Sequence, residues 1–188
     1  MDYDVKTTLR AVSAIIDDEV GSIKNHFYGK TYDGGLFSSP VTVSASIKEQ
    51  DLADVPKGNG IYVFEIIVDF TNSEYVKFKS EENSIKATKL RNETKFDDLK
   101  ENAFLYIGSC KAMGIRARLK EHLFHAGNGV YSLRLYDKDN REMVKKKIEI
   151  TAFEMNTFGN QDYVKLLLPR IEEKLQKELR PVAGRYRG

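Results

Sequence analysis

The sequence predicts an α+β fold in which a small, mainly antiparallel β-sheet is flanked by helices. Apolar residues recur with helical spacing at both ends of the chain, whereas alternating apolar residues indicate strands between them. The chain has 188 residues, 41% of them hydrophobic, which suffices for one sizeable core. No repeat, low-complexity tract or linker divides it, so we expect one domain.

The first third of the chain predicts an extension of this domain, covering residues 1–57. Apolar residues at helical spacing predict an amphipathic helix over 4–19. The Gly-, Ser- and Tyr-rich stretch 21–40 predicts a loop. A short strand is expected over 41–47 and a helical turn over 51–55.

The middle of the chain predicts two strands separated by a long insertion at about 70–102. The first strand, 61–70, is apolar on both faces and is therefore expected to be covered on both. Tyr75, Val76 and Phe78 suggest a further strand inside the insertion.

The second half predicts a strand over 104–108, a tight turn, and a helix that begins near Met113. Residues 132–135 favour a helical turn over a strand. A third strand is expected over 147–155, where apolar residues alternate. Two helical pieces follow, with Pro169 in the first turn of the second.

Arg118 and His122 lie four residues apart in the central helix, on one flank of the apolar stripe that Ile115, Leu119 and Leu123 form. Such a pair is usually only the solvated edge of an amphipathic helix.

In the last helix, Glu172 and Glu178 flank the apolar stripe at similar angles, whereas Glu173 faces water. Periodicity alone does not choose between Glu172 and Glu178 as a functional carboxylate.

The order of five features resembles the GIY-YIG nuclease family. Gly60-Ile61-Tyr62 opens one strand and Tyr106-Ile107-Gly108 ends the next, followed by Arg118, by His122 and by a Glu ahead of Pro181. The resemblance selects Glu172, because the family's metal-binding Glu precedes a Pro by the interval seen here. It implies a metal-dependent endonuclease that hydrolyses phosphodiester bonds in DNA and uses Mg²⁺ or Mn²⁺.

The resemblance also implies a role for each of the five residues. Glu172 would bind the metal, and Arg118 would hold the scissile phosphate. Tyr62, beside a metal and Arg118, would have a lowered pKa and act as general base. Tyr106 would orient the attacking water, and His122 would assist proton transfer or contact phosphate.

The chain departs from the family pattern at three places. These are the long insertion, two extra residues between Gly108 and Arg118 relative to the compact members, and Gly184, where the family usually carries an Asn. We expect Gly184→Asn to be tolerated. The alternative function is a catalytically decayed nucleic-acid-binding module with the same fold, and a purely structural or partner-binding protein is a third hypothesis. DNA versus RNA and the recognition sequence stay open.

The formal net charge is only +2, but basic residues concentrate around the proposed site. The predicted partner is DNA, and a homodimer is a candidate assembly. One cysteine, no signal-peptide pattern and no apolar run of membrane-spanning length predict a cytoplasmic protein without a membrane partner. The predicted nucleic-acid contacts are Lys111, Arg116, Lys120, Lys145, Lys146, Lys147 and Arg185.

Overall fold

The computed structural model describes residues 5–80, 90–91, 93–125, 132–136, 139–156 and 161–184. These residues form an α+β fold whose four-stranded antiparallel sheet is flanked by helices, as the sequence predicted. None of the helices in these ranges is sufficiently long and apolar to span a membrane. The elements are α1 (Val5–Phe27), β1 (Val41–Ser44), β2 (Gly60–Ile66), α2 (Asn72–Ser80), β3 (Phe104–Cys110), α3 (Ile115–Leu123), α4 (Asp139–Lys145), β4 (Ile148–Glu154) and α5 (Gln161–Leu179).

The strands are arranged in the order β1-β4-β2-β3, so β2 pairs with both β3 and β4. Strand β3 therefore lies at an edge of the sheet. The segment after α5 covers the beginning of this edge, because the N–H groups of Val182 and Ala183 donate to the carbonyls of Phe104 and Leu105 at 2.9 Å. The two strands that carry the proposed tyrosines are thus direct neighbours.

The two faces of the sheet pack against different helices. Ile61 and Ile107 pack with the apolar stripe of α5, which includes Ile171 and Leu175, and α1 covers the same face. The opposite face presents Tyr62, and it packs against the buried leucines of α3. Because side chains alternate along a strand, consecutive residues of β2 and β3 meet different helices.

Two helices differ in extent from the sequence prediction. Helix α1 continues to Phe27, because Val20 and Ile23 extend its buried stripe past Gly21. The two helical pieces expected at the end of the chain are one continuous helix, with Pro169 inside α5.

The predicted strand around Tyr75 was wrong, since this segment forms α2. Its start is fixed by Thr71 and Glu74: the Thr71 N–H donates to the Glu74 carboxylate at 2.6 Å, and the Glu74 N–H donates to the Thr71 hydroxyl at 3.3 Å. The helical turn expected over 132–135 was also wrong. There the N–H groups of Leu133 and Leu135 bond to His122 instead.

Candidate active site

Tyr62 and Tyr106 lie on the paired strands β2 and β3, on the face that packs against α3. Tyr62 is opposite Gly108, Phe64 is opposite Tyr106, and the two tyrosine rings have their centroids 6.2 Å apart. A Cβ atom on Gly108 would come within 2.6 Å of the Tyr62 hydroxyl oxygen. The glycine that ends the second tripeptide therefore makes the space in which the Tyr62 hydroxyl lies.

Helix α3 brings Arg118 and His122 to the same two rings. The Arg118 Nε donates to the Tyr62 hydroxyl at 3.3 Å, and the His122 Nε2 lies 3.3 Å from the same oxygen. The imidazole centroid is 5.2 Å from that of Tyr106. We call these four residues, Tyr62, Tyr106, Arg118 and His122, the polar cluster.

His122 is fully buried, and its surroundings fix its protonation. The Leu133 N–H donates to His122 Nδ1 at 2.9 Å, so this nitrogen carries no proton. Burial, and then the charge of Arg118, lower the pKa of His122 well below its usual value. The ring is therefore neutral near pH 7, with its proton on Nε2 and directed at the Tyr62 oxygen.

The two phenols have raised pKa values. For Tyr62, which is 1% exposed, burial raises the pKa well above 10, although Arg118 acts in the opposite direction. This is contrary to the lowered pKa that the sequence argument expected. Burial and the Glu172 carboxylate raise the pKa of Tyr106, whereas Arg118 and a hydrogen bond with Tyr62 lower it.

Arg118 is held on its other side by Glu121, to which its Nη1 donates. The two side chains are 16% and 8% exposed, so this is a nearly buried ion pair. Burial lowers the pKa of Arg118, but Tyr62 and Glu121 more than reverse this effect. The guanidinium stays charged beside the two phenols.

Glu172 reaches the polar cluster from the opposite face of the sheet. It belongs to α5, and Ser109, which lies on the α5 face of β3, donates to its Oε2. Gln176 Nε2 donates to Glu172 Oε1 at 3.0 Å and to the Ile107 carbonyl at 3.1 Å. The carboxylate is near enough to the cluster to raise the pKa of both tyrosines. Glu172 therefore sits beside the free edge of β3, close to the two phenols.

The other two glutamates of α5 have different surroundings. Glu178 forms an ion pair with Lys24 of α1 at 2.5 Å, and Glu173 pairs with Lys177 at 3.0 Å near the helix surface. Glu178 therefore joins two helices, whereas Glu172 accepts a hydrogen bond from Ser109 of β3.

Gly184 lies directly against Tyr106. A Cβ atom there would be 3.4 Å from a ring carbon of Tyr106, and Gly184 has a φ of +107°. The position at which the family carries an Asn is thus next to the polar cluster. The positive φ strains any side chain here, which opposes the expectation that Gly184→Asn is tolerated.

Three of the predicted nucleic-acid contacts have partners inside the protein. Arg116 donates to the carbonyl of Val55 at 2.9 Å and to that of Ala53. The Lys145 ammonium lies 2.8 Å from Glu142, and its side chain is 5% exposed. The Lys147 ammonium lies 2.7 Å from Glu74 in α2. DNA binding by these three would require the internal contacts to break.

Three further predicted contacts are more accessible. Lys111 and Lys146 are exposed, and Lys120 forms an exposed ion pair with Glu49 at 3.0 Å. Arg185 lies outside the described residues. Contacts of Lys111, Lys120 and Lys146 with DNA would therefore break the fewest stabilising interactions within the protein.

Sequence reasoning missed three residues that support the site, namely Ser109, Glu121 and Gln176. Two of them carried a usable signal, because Glu121 is at i+3 from Arg118 and Gln176 is at i+4 from Glu172, where helical side chains meet. Ser109 carried none, since its contact with α5 depends on the tertiary fold.

Within the ranges that the structure describes, no three or more His, Cys, Asp or Glu side chains are grouped as a metal site. None of the polar cluster or Glu172 lines either of two surface cavities, of about 660 and 480 Å³. Comparisons with protein-family models, with curated proteins and with solved structures gave no significant match. The family resemblance therefore rests on the residues of the site.

Proposed function

We propose that the protein is a divalent-metal-dependent endonuclease of GIY-YIG type that hydrolyses phosphodiester bonds in DNA. The observation that carries the proposal is the grouping of a charged guanidinium, two phenols and a neutral imidazole, with a carboxylate at the adjacent strand edge. Phosphoryl transfer needs a fixed cation near the phosphate, a metal ligand and a group that moves a proton. These five side chains include all three kinds of group.

Glu172 fits the role of metal ligand. Its Oε2 accepts a hydrogen bond from Ser109 and its Oε1 accepts one from Gln176, and these bonds fix the carboxylate. Mg²⁺ is commonly held by one or two carboxylates and keeps several waters. When bound, Mg²⁺ or Mn²⁺ would supply positive charge to the phosphoryl oxygens.

Arg118 fits the role of phosphate ligand. Its Nε and Nη1 are occupied by Tyr62 and Glu121, which lock the planar fork in place. A guanidinium preorganised in this way contributes to the transition state without reorganising during the reaction.

The tyrosine oxygens form a chain of hydrogen bonds that leads from Arg118 and His122 towards the surface. The Tyr62 oxygen accepts from Arg118 and from the Nε2 proton of His122, so its own proton is available for Tyr106. Tyr62 is 1% exposed, whereas Tyr106 is only half-buried. We therefore assign the contact with water and the movement of a proton to Tyr106. We assign to Tyr62 the positioning of the Tyr106 phenol through the hydrogen bond that it donates, since His122 already carries its proton on Nε2 and its Nδ1 accepts from the Leu133 N–H.

The decayed binding module remains the second candidate function. The observation in its favour is the burial of Tyr62 and His122, which are 1% and 0% exposed, together with the raised pKa of Tyr62. Such a polar cluster would also serve to fix α3 on the sheet.

Cleavage of supercoiled plasmid, with and without Mg²⁺ or Mn²⁺, tests the proposal. We expect cleavage only with metal, and we expect Glu172→Gln to abolish it while the circular dichroism spectrum stays unchanged. Glu173→Gln is the matched control, because Glu173 is on the same helix and 40% exposed. Equal cleavage by Glu172→Gln would reject the metal role, and no cleavage by the wild type with either metal would favour the binding module.

The homodimer stays a proposal as well. One copy carries one polar cluster, so cutting both strands of a duplex in one binding event needs two copies. Leu9 of α1 and Tyr163 and Leu166 of α5 are large apolar side chains, each more than half exposed, that a second copy would cover. Light scattering on a size-exclusion column measures the molar mass of the wild type and of Leu9→Glu. These two masses test whether the protein forms a homodimer through this surface.

A further inference from the structure

A surface cavity of about 660 Å³ lies beside the candidate active site, between the C-terminal end of α5 and the start of β3. Three of its lining residues are cations, Arg91, Lys177 and Arg180, and two are carboxylates, Glu93 and Asp98. The cavity therefore has an excess of positive charge, with its cations supplied by two separate parts of the chain.

The surroundings of these charges favour an anionic ligand further. The Asp98 carboxylate already accepts a hydrogen bond from the Lys95 N–H at 2.6 Å. The Lys177 ammonium pairs with Glu173 at 3.0 Å, but both side chains are at least 40% exposed. Such a surface pair contributes little stability, so a phosphate can replace Glu173 at small cost.

The position of the cavity relates it to the polar cluster. Phe104, which lines the cavity, precedes Tyr106 by two residues of β3, a distance of about 7 Å along the strand. Val182 also lines it, and Gly184, two residues later, lies against Tyr106. The cavity and the candidate active site are thus adjacent to each other along β3, the edge strand of the sheet.

We propose that this cavity is a second phosphate site, which holds the backbone of the DNA strand at a phosphate near the scissile bond. The proposal rests on the proposed function and adds the way in which the strand is positioned along β3. The cations of Lys177 and Arg180 form charge-assisted hydrogen bonds to the phosphate oxygens.

Arg180 permits a test that separates binding from folding. It follows α5 directly with a φ of +48°, the left-handed conformation that glycine usually adopts after a helix. Arg180→Gly therefore removes the guanidinium and introduces a residue that readily adopts this left-handed backbone conformation. If Arg180 only ended the helix, Arg180→Gly would leave DNA binding unchanged.

The experiment measures anisotropy of a fluorescent 20-base-pair duplex between 50 and 200 mM NaCl, in the Glu172→Gln background without divalent metal, so that cleavage does not interfere. Arg180→Gly and Lys177→Gln are each compared with Lys165→Gln, a control on the same helix whose side chain is 65% exposed. We expect each of the first two changes to weaken binding about tenfold and to lower the slope of log K against log salt by about 0.9, the value for one lost phosphate contact.

The outcomes distinguish this proposal from the proposed function. Slopes in Arg180→Gly and Lys177→Gln equal to that of Lys165→Gln overturn the second phosphate site and leave the nuclease proposal intact. Cavity-dependent binding by a wild type that cuts no plasmid supports the phosphate site and overturns the nuclease. Absence of duplex binding overturns both.

Discussion

Arg118 illustrates how one residue serves the fold and the proposed chemistry together. Its ion pair with Glu121 is nearly buried, so removal of the guanidinium leaves a carboxylate in the protein interior without its partner. Breaking such a pair costs about 3 kcal/mol of folding free energy. A loss of activity on mutation of Arg118 alone therefore mixes two effects.

We predict that Arg118→Ala reduces turnover about a hundredfold to a thousandfold, or about 3 to 4 kcal/mol, because one preorganised transition-state donor is lost. The double variant Arg118→Ala/Glu121→Gln should recover the free energy of unfolding but not the turnover. Urea unfolding and single-turnover cleavage measure the two quantities. Recovery of turnover in the double variant would show that Arg118 acts only through stability, and equal losses of binding and turnover would make it a ground-state anchor.

His122 predicts a pH dependence of stability. Its pKa in the folded protein is below the unfolded value near 6.5, so the unfolded chain binds more protons at acidic pH. Its contribution to stability is complete above pH 6.5 and is lost as the pH falls below 6.5 towards the folded pKa, with a slope of up to about 1.4 kcal/mol per pH unit.

Urea unfolding from pH 7.5 to pH 5 measures this slope. His122→Asn should make it shallower by up to that amount, since the Asn side-chain oxygen can accept from the Leu133 N–H but does not titrate. His125→Gln is the control, because His125 is exposed one turn further on. A slope that persists in His122→Asn would assign the pH dependence to other groups.

At the scale of elements, local sequence signals predicted the sheet better than the helices. Strands β3 and β4 lie close to their predicted spans, whereas β2 ends at Ile66 and not at residue 70 as predicted. Helix α2 was taken for a strand because Tyr75 and Val76 favour strands, yet Thr71 and Glu74 form the hydrogen bonds of a capping box, a signal that was present in the sequence.

The contacts of segment 132–136 could not be predicted from the sequence. Its N–H groups bond to His122, and its Leu133 carbonyl accepts from Arg141 of α4. The Arg141 guanidinium in turn lies 4.8 Å from the centroid of Phe78 in α2. Three elements distant in sequence thus hold the imidazole, and no periodicity in the sequence records these contacts.

We predict that Arg141→Met raises the pKa of His122 towards 6.5. The variant loses the bond to the Leu133 carbonyl, so segment 132–136 loosens and water reaches the ring, which reduces the effect of burial. An NMR titration of the imidazole signals measures the pKa. Arg170→Met is the control, because Arg170 is 69% exposed on α5; an unchanged His122 pKa in Arg141→Met would show that the segment stays closed without Arg141.

At the scale of the molecule, the order of residues in the sequence predicted which side chains meet, but not how they meet. The tripeptides and the Arg–His pair implied adjacent strands beside a helix, and the structure has this arrangement. The approach of Glu172 from the other face, past the edge of β3, depends on the packing of α5 and the strand order. Burial of Tyr62 likewise follows from tertiary packing, which spacing in the sequence does not give.

The whole molecule should therefore be stabilised by the metal that the site is proposed to bind. A ligand at ten times its Kd that binds only the folded state adds about 1.4 kcal/mol, which raises the melting temperature of a protein of this size by about 3 to 6 °C. We predict such a rise with Mn²⁺ for the wild type and for Glu173→Gln, and none for Glu172→Gln, because Glu172 is the carboxylate that we propose as the metal ligand. Differential scanning fluorimetry at increasing Mn²⁺ measures the shift without reference to cleavage. An equal rise in Glu172→Gln would place the cation elsewhere on the protein. No rise in the wild type at saturating Mn²⁺ would mean either that metal binding needs DNA or that the site has decayed. Repeating the scan with a DNA duplex separates these two explanations.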